Sequence, residues 1–360
     1  MNRNKIPFLQ IESYEHPWDK SARDALEQVP GFTGLTRKLN EIGFERLLRV
    51  QYTGSSLKVS QTNFPELHNA LREACNILGI CHQPDLYLQW NYNINGFTAG
   101  VEKPIIVLNS GCIDLLSPDE LLFVIAHELG HIKSKHVLYY QTATYLPALV
   151  HYLGNFTLGI GGLLTSGLQL ALQNWQRMSE FTADRAGLLA CQDPNVAANA
   201  MVKMAGLPHK YYSAALVNEF IKQAKEFESY DYDALDKVVK VLSTMNRSHP
   251  WTVMRTAELF KWVEGGEYDK ILNQQDWRSA TKPWLLPGVK QQNTGQQNTG
   301  QQNVEQQNAE QQNIEQQNTE GRAVKSWRYR WEVGGTYEFI AGLEQTSDAA
   351  QGLASLPHVH

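Results

Sequence analysis

The stretch that decides the fold is Ser117-Pro118-Asp119-Glu120-Leu121-Leu122-Phe123-Val124-Ile125-Ala126-His127-Glu128-Leu129-Gly130-His131. It opens with the signals of a helix start. Ser117 is a strong N-cap, Pro118 fits the first helical position, and Asp119 and Glu120 suit the positive end of the helix. Glu120 stands three residues after Ser117, which completes a capping box. An apolar run over 121–126 follows, so the helix lies in the core, and it is predicted to reach about His136. On that helix His127 and His131 are i and i+4 and share a face. Two imidazoles so placed grip one metal ion, and Glu128 beside them is positioned to polarise a metal-bound water.

A catalytic zinc takes a third protein ligand and keeps an open position. The sequence after His131 is Ile132-Lys133-Ser134-Lys135-His136, which does not match the metzincin spacing. On a continuing helix His136 lies five residues and about 140° beyond His131, and so points elsewhere. From His136 to Gln176 no Asp, Glu, Lys or Arg occurs. The first acid is Glu180, followed by Asp184, again an i, i+4 pair on one face. Glu180 is the expected third ligand. Asp184, one turn on, is expected to accept the outer N–H of a zinc histidine, His127 in the first place.

The 360 residues suffice for two domains, or one large one with extensions. Apolar residues make up 42% and aromatics 10%, which supplies a sizeable core and excludes a bulk-disordered or collagen-like chain. A net charge of −5 exerts no general pull on nucleic acid. Cys75, Cys81, Cys112 and Cys191 lack CxxC spacing, which argues against a disulfide scaffold or a thiolate zinc cluster and fits a reducing compartment. The first residues carry no long apolar run, so a cytoplasmic location is expected, with membrane association left open.

Upstream, residues 1–60 read as a polar lead-in with one amphipathic stretch around Leu35, Leu39, Ile42, Leu47 and Leu48. A helix is predicted from Phe64 to Leu78, then strands over Leu86–Tyr92 and Pro104–Leu108, with Asn95-Gly96 marking a turn or bulge between them. Downstream, the uncharged stretch admits two readings. It forms buried helices broken around Gly159–Gly162, or it touches a membrane. Two full crossings take about 40 residues, and Leu138 to Leu172 supplies only 35, so a buried or membrane-dipping hairpin is expected. Helices follow over Ser166–Cys191, from Asp193-Pro194 to Met204, and over Leu216–Phe227, Leu235–Leu242 and Trp251–Val263. Residues 291–320 are six copies of a pentamer, QQNTG twice and then QQNVE, QQNAE, QQNIE and QQNTE. With almost nothing apolar they read as a disordered spacer. The aromatic tail beyond, with Trp327, Tyr329, Trp331, Tyr337 and Phe339, reads as strand or as a sticky terminus.

His127-Glu128-Leu129-Gly130-His131, then Arg177, Glu180 and Asp184 in R-x-x-E-F-T-A-D, then His249-Pro250 with Arg255, resemble the M48 metallopeptidases. That group includes the HtpX membrane proteases and the CAAX prenyl proteases. The resemblance covers roughly residues 60–265. It implies a gluzincin-like, mostly helical fold with a small sheet edging the cleft. It implies one zinc per chain on His127, His131 and Glu180, with Glu128 as general base. His249 matches a His-Pro motif and becomes a candidate donor to the developing oxyanion. Arg255 is implied as a residue behind the metal ligands, the alternative being that it only holds the fold through a carboxylate pair. Asn95-Gly96-Phe97-Thr98 stands where the family has an edge-strand motif, which makes Asn95, Gly96 and Phe97 candidates for holding an extended peptide.

The expected architecture is therefore mainly α with a small β-sheet (α+β). It comprises an N-terminal helical extension over 1–60, a metallopeptidase domain over 61–285, a low-complexity linker over 286–320 and an aromatic tail over 321–360. The expected function is a zinc metalloendopeptidase acting on protein or peptide substrates, not on nucleic acid, with peripheral membrane contact through 138–172 left open. The alternatives are a catalytically silent protease fold kept as a scaffold and a membrane-associated binding protein.

Overall fold

A computed structural model describes residues 3–41, 44–154, 161–229 and 251–273. In chain order the helices and strands are α1 (Ile11–Tyr14), α2 (Pro17–Glu27), α3 (Phe32–Glu41), α4 (Phe44–Ser55), β1 (Leu57–Lys58), α5 (Pro65–Leu78), β2 (Asp85–Gln89), β3 (Gly96–Ala99), β4 (Ile105–Asn109) and α6 (Ser110–Leu115). They continue with α7 (Pro118–Lys133), α8 (His136–Gly154), α9 (Gly161–Cys191), α10 (Pro194–Met204), a 3-10 turn (His209–Tyr211), α11 (Ala214–Ser229), α12 (Thr252–Glu264) and α13 (Glu267–Asn273). Among the described residues the fold is mainly helical with one four-stranded sheet. The stretch Leu235–Leu242, His249, the pentamer repeats and the aromatic tail lie outside the described residues.

Helix α7 is the central element. Its capping box forms as the sequence predicts: Ser117 Oγ accepts from the Glu120 backbone N–H, and Glu120 Oε2 accepts from that of Ser117. Every residue from Glu120 to His131 is buried, so the helix is wrapped on all sides rather than amphipathic. It stops at Lys133, earlier than expected. Lys135 adopts a left-handed φ of 60°, which ends the helical path and sends His136 into a new helix.

The sheet runs β1-β2-β4-β3. β2 and β4 pair in parallel, while β3 pairs antiparallel with β4 and forms the edge. Asn95-Gly96 therefore leads into a strand of its own, and the two longer strands are not joined as a hairpin. β2 stops at Gln89, short of the expected Tyr92, and Trp90 and Tyr92 are exposed. All five residues of β4 are buried, as a strand covered on both faces requires. Ile106 and Leu108 face the main core with α5 and α7. Ile105 and Val107 face a smaller cluster with Leu48, Tyr52, Phe97 and Tyr145.

The N-terminal segment is not a polar lead-in. Ile6, Leu9, Tyr14, Leu26 and Phe32 are buried. Leu26 and Phe32 share a cluster with Ala143, Leu146, Leu172 and Trp175. The part of the uncharged stretch whose burial is described thus packs against α2 and α3. Residues 155–160, between α8 and α9, lie outside the described set. Among the described residues no helix is long and apolar enough to cross a membrane.

Candidate metal centre

Helices α7 and α9 approach closely because small residues line their contact. A Cβ on Gly130 would stand 2.7 Å from Ala186 Cβ and 3.2 Å from Ala183 Cα. A Cβ on Gly187 would press on the Phe123 ring at 2.8 Å. This approach sets Glu180, on α9, opposite the two histidines of α7.

The three side chains converge in a buried cluster, and their ligand atoms lie within 4.8 Å of one another. His127 Nε2 and His131 Nε2 are 3.3 Å apart. Glu180 Oε2 is 3.5 Å from His127 Nε2, and its Oε1 is 3.5 Å from His131 Nε2. Bonds of about 2.0–2.1 Å to a tetrahedral ion separate ligand atoms by about 3.3–3.4 Å. The N, N, O donor set and its spacing thus fit zinc.

A network of supports surrounds these donors. Asp184 Oδ1 is 3.0 Å from His127 Nδ1, on the side of the ring away from the cluster. Arg255 of α12 clamps that carboxylate, donating from Nε to Oδ2 at 2.8 Å and from Nη2 to Oδ1 at 2.6 Å. Its Nη1 lies 3.4 Å from Glu180 Oε2. Burial alone would push the Asp184 carboxyl up, but the guanidinium outweighs it and holds the group below the usual carboxylate range. Burial likewise works against a charge on His127, and the Asp184 and Glu180 carboxylates overcome it and raise its pKa. Burial dominates at His131 and lowers its pKa, which favours the neutral, ligating imidazole.

Glu128 is buried beside the cluster. Thr98 Oγ1 donates to its Oε2 at 2.8 Å. Burial pushes the Glu128 carboxyl up to about 7, against the opposing pull of His127 and Thr98. A carboxyl with a pKa near neutrality both takes and returns a proton readily.

The edge-strand candidates divide by the alternation of β3. Gly96 lies against Glu128, where a Cβ would stand 3.1 Å from Oε1. Phe97 turns to the opposite face, and its ring packs 5.0 Å from that of Tyr52. Asn95 is exposed, and its backbone carbonyl accepts from the Asn109 N–H. Thr98, next along the strand, is the side chain that reaches Glu128. His249 lies outside the described residues.

Two further residues escape sequence reasoning. Tyr140 of α8 donates its hydroxyl to Glu180 Oε1 at 2.6 Å. His136 does not point elsewhere. The chain turns at Lys135 and brings His136 Nδ1 to 2.9 Å from His131 Nδ1. The positive φ at a non-glycine residue is what defeats the helical projection, and nothing in Ser134-Lys135 announces it.

The profile of peptidase family M48 matches residues 61–263. The chain is similar to the plastoglobule-localized metallopeptidase 48, chloroplastic, of Arabidopsis thaliana, with 31% identity over 76% of this chain and 79% of that protein. It is 27% identical to protease HtpX homolog 2 of Methanosarcina acetivorans over 44% of this chain and 61% of that protein. It is 26% identical to a protease HtpX homolog of Ralstonia nicotianae over 59% of this chain and 78% of that protein. No solved structure matches the chain.

Proposed function

The chain belongs to peptidase family M48, and from that premise we propose that it is a zinc-dependent endopeptidase with one zinc per chain on His127, His131 and Glu180. The observation that carries this reading is the meeting of two imidazole nitrogens and a carboxylate, 3.3–3.5 Å apart, beside a buried glutamate. When bound, the zinc would supply Lewis-acid polarisation of the scissile carbonyl and acidify a water. Glu128 takes the proton of the attacking water and passes it to the leaving amine. Thr98 holds the Glu128 carboxylate. Asp184, with Arg255 behind it, fixes the His127 ring. β3, an edge strand, offers its backbone to an extended peptide by strand addition, with Gly96 leaving room next to Glu128. His249 is proposed as an oxyanion donor on its sequence motif alone.

We also propose the chain organisation set out above: a segment over 1–60, a peptidase unit over 61–285, a linker over 286–320 and a tail over 321–360. Substrates are proteins or peptides, and the location is cytoplasmic. We also propose peripheral membrane contact through 138–172, with the plastoglobule-localized relative as its support.

The test is metal content and cleavage of an unfolded protein such as casein, for the wild type and Glu128→Gln. The wild type should carry about one zinc and cleave. Glu128→Gln should keep fold and zinc but lose about 10²–10⁴-fold in turnover, since the amide cannot accept the proton. Full turnover by that variant would remove Glu128 from the reaction. A zinc-loaded wild type that cleaves nothing would favour the scaffold alternative.

A further inference from the structure

The two metal-facing histidines are oriented differently. His127 is held directly by Asp184. His131 meets another histidine, His136, with Nδ1 facing Nδ1 at 2.9 Å. On the far side of His136, Nε2 lies 3.0 Å from Asp19 Oδ2. His136 and Asp19 are almost completely buried, at 1% and 0% exposure. Asp19 belongs to α2, outside the residues 61–263 that match the family profile.

We propose that Asp19 and His136 are positioning residues of the metal centre, Asp19 setting the tautomer of His136 and His136 setting that of His131. This rests on the zinc reading above. The reasoning is a matter of proton direction. Two nitrogens at 2.9 Å share one proton. For His131 Nε2 to offer its lone pair toward His127 and Glu180, its proton sits on Nδ1. His136 Nδ1 then accepts, and the proton of His136 sits on Nε2, facing Asp19.

The surroundings of Asp19 leave it no alternative direction. The Trp175 indole N–H, which can only donate, reaches Asp19 Oδ1 at 3.1 Å. Thr182 Oγ1 accepts from the His16 backbone N–H at 3.0 Å, so its own proton goes to Asp19 Oδ2, at 2.6 Å. Both of these groups present a proton to the carboxylate, which leaves it an acceptor toward His136 Nε2 as well. The order of donors is therefore dictated from α2 and runs through His136 to the ligand atom of His131. A carboxylate or similar group behind a metal-bound histidine fixes ring orientation, and its loss commonly costs about 10–100-fold in metal affinity. Here an N-terminal helix supplies that support through an intervening ring.

The experiment measures zinc affinity by competition with a chromophoric chelator, on the full chain. Circular dichroism and the melting temperature report folding. In Asp19→Asn the amide N–H₂ can face His136 Nε2 and reverse the proton order. His136→Leu removes the relay, whereas His136→Asn keeps an amide oxygen near the position of Nδ1 to accept from His131. Asp19→Asn and His136→Leu should each bind zinc about 10–100-fold more weakly, and His136→Asn should recover most of the loss. Folded Asp19→Asn and His136→Leu with wild-type zinc affinity would overturn the proposal. Equal losses in His136→Leu and His136→Asn would overturn it as well, because packing rather than an acceptor would then be at stake. If Asp19→Asn does not fold, the two His136 variants decide. A wild-type chain that takes up no zinc would overturn this and the metallopeptidase reading together, whereas a zinc-binding wild type with unchanged variants would overturn only the relay.

Discussion

At the scale of single residues, the proposed base and its partner are the most informative pair. Glu128 sits in a buried site, where Thr98 Oγ1 donates to its Oε2. Thr98→Val keeps the β-branched shape that suits a strand and removes the hydroxyl. A hydrogen bond to a charged group is worth about 1.5–3 kcal/mol, so kcat should fall by about one to two orders of magnitude. Zinc content and KM should stay close to wild type, because neither metal donor nor strand backbone changes. Steady-state kinetics with a fluorogenic peptide check this, and an unchanged kcat would show that Glu128 is oriented without Thr98. The histidines make the complementary point. His127 and His131 share a pattern visible in five residues, whereas His136 acquires its place from one backbone angle at Lys135.

At the scale of elements, the contact between α7 and α9 sets the site. Gly130 and Gly187 allow a helix–helix approach at which Glu180 reaches the histidines. Gly130→Ala poses two opposed effects. Alanine improves helix propensity by about 1 kcal/mol. Its Cβ would meet Ala186 Cβ at 2.7 Å and the Ala183 backbone at 3.2 Å. Overpacking of this kind costs about 1–3 kcal/mol, and backbone yields less readily than a side-chain tip, so the clash prevails. The melting temperature should fall by a few degrees, and zinc affinity should fall with it as α9 is pushed outward. A variant as stable as the wild type, with full zinc affinity, would show that the helices have slack at this point.

At the scale of the whole molecule, the N-terminal segment is laced across the peptidase helices. Arg3 pairs with Glu73 and Asp119 and donates to the Cys191 carbonyl. Arg185 donates to the carbonyls of Tyr14 and Glu15, and its guanidinium lies 4.8 Å from the Trp262 ring centre. His16 ties the start of α2 to α12. Its Nδ1 accepts from the Trp18 N–H as a helix cap, and its Nε2 lies 3.2 Å from Glu258 Oε2. Burial lowers the His16 pKa, opposed by Glu258 and Asp19 and reinforced by Arg185. A histidine harder to protonate folded than unfolded stabilises fully above its unfolded pKa of about 6.5. That contribution fades as the pH falls below this value. The melting temperature should therefore decline from pH 6.5 towards 5, partly because a protonated Nδ1 no longer caps α2, an interaction of about 1 kcal/mol. His16→Asn keeps a capping oxygen and does not titrate, so its decline over that range should be shallower. An identical slope in the variant would assign the acid sensitivity to other groups.

The sequence by itself determined the elements whose causes lie within a few residues of one another. The capping box, the Asp193-Pro194 start of α10 and the i, i+4 pairs 127/131 and 180/184 are all short-range patterns. Each is enforced by local hydrogen bonding or by the 3.6-residue turn. Glu180, the carboxylate that meets His127 and His131, was also legible, because a 41-residue stretch without charged side chains leaves it as the next acid. Tertiary structure alone decided which distant groups stand behind those donors. Asp19, Thr98, Tyr140 and Thr182 carry no local signal, since their roles depend on packing that brings together positions up to 166 residues apart. The polar look of 1–60 misled for the same reason. His16 and Asp19 lie in that segment, and laying α2 against α9 buries both and turns each into a group that must find a partner.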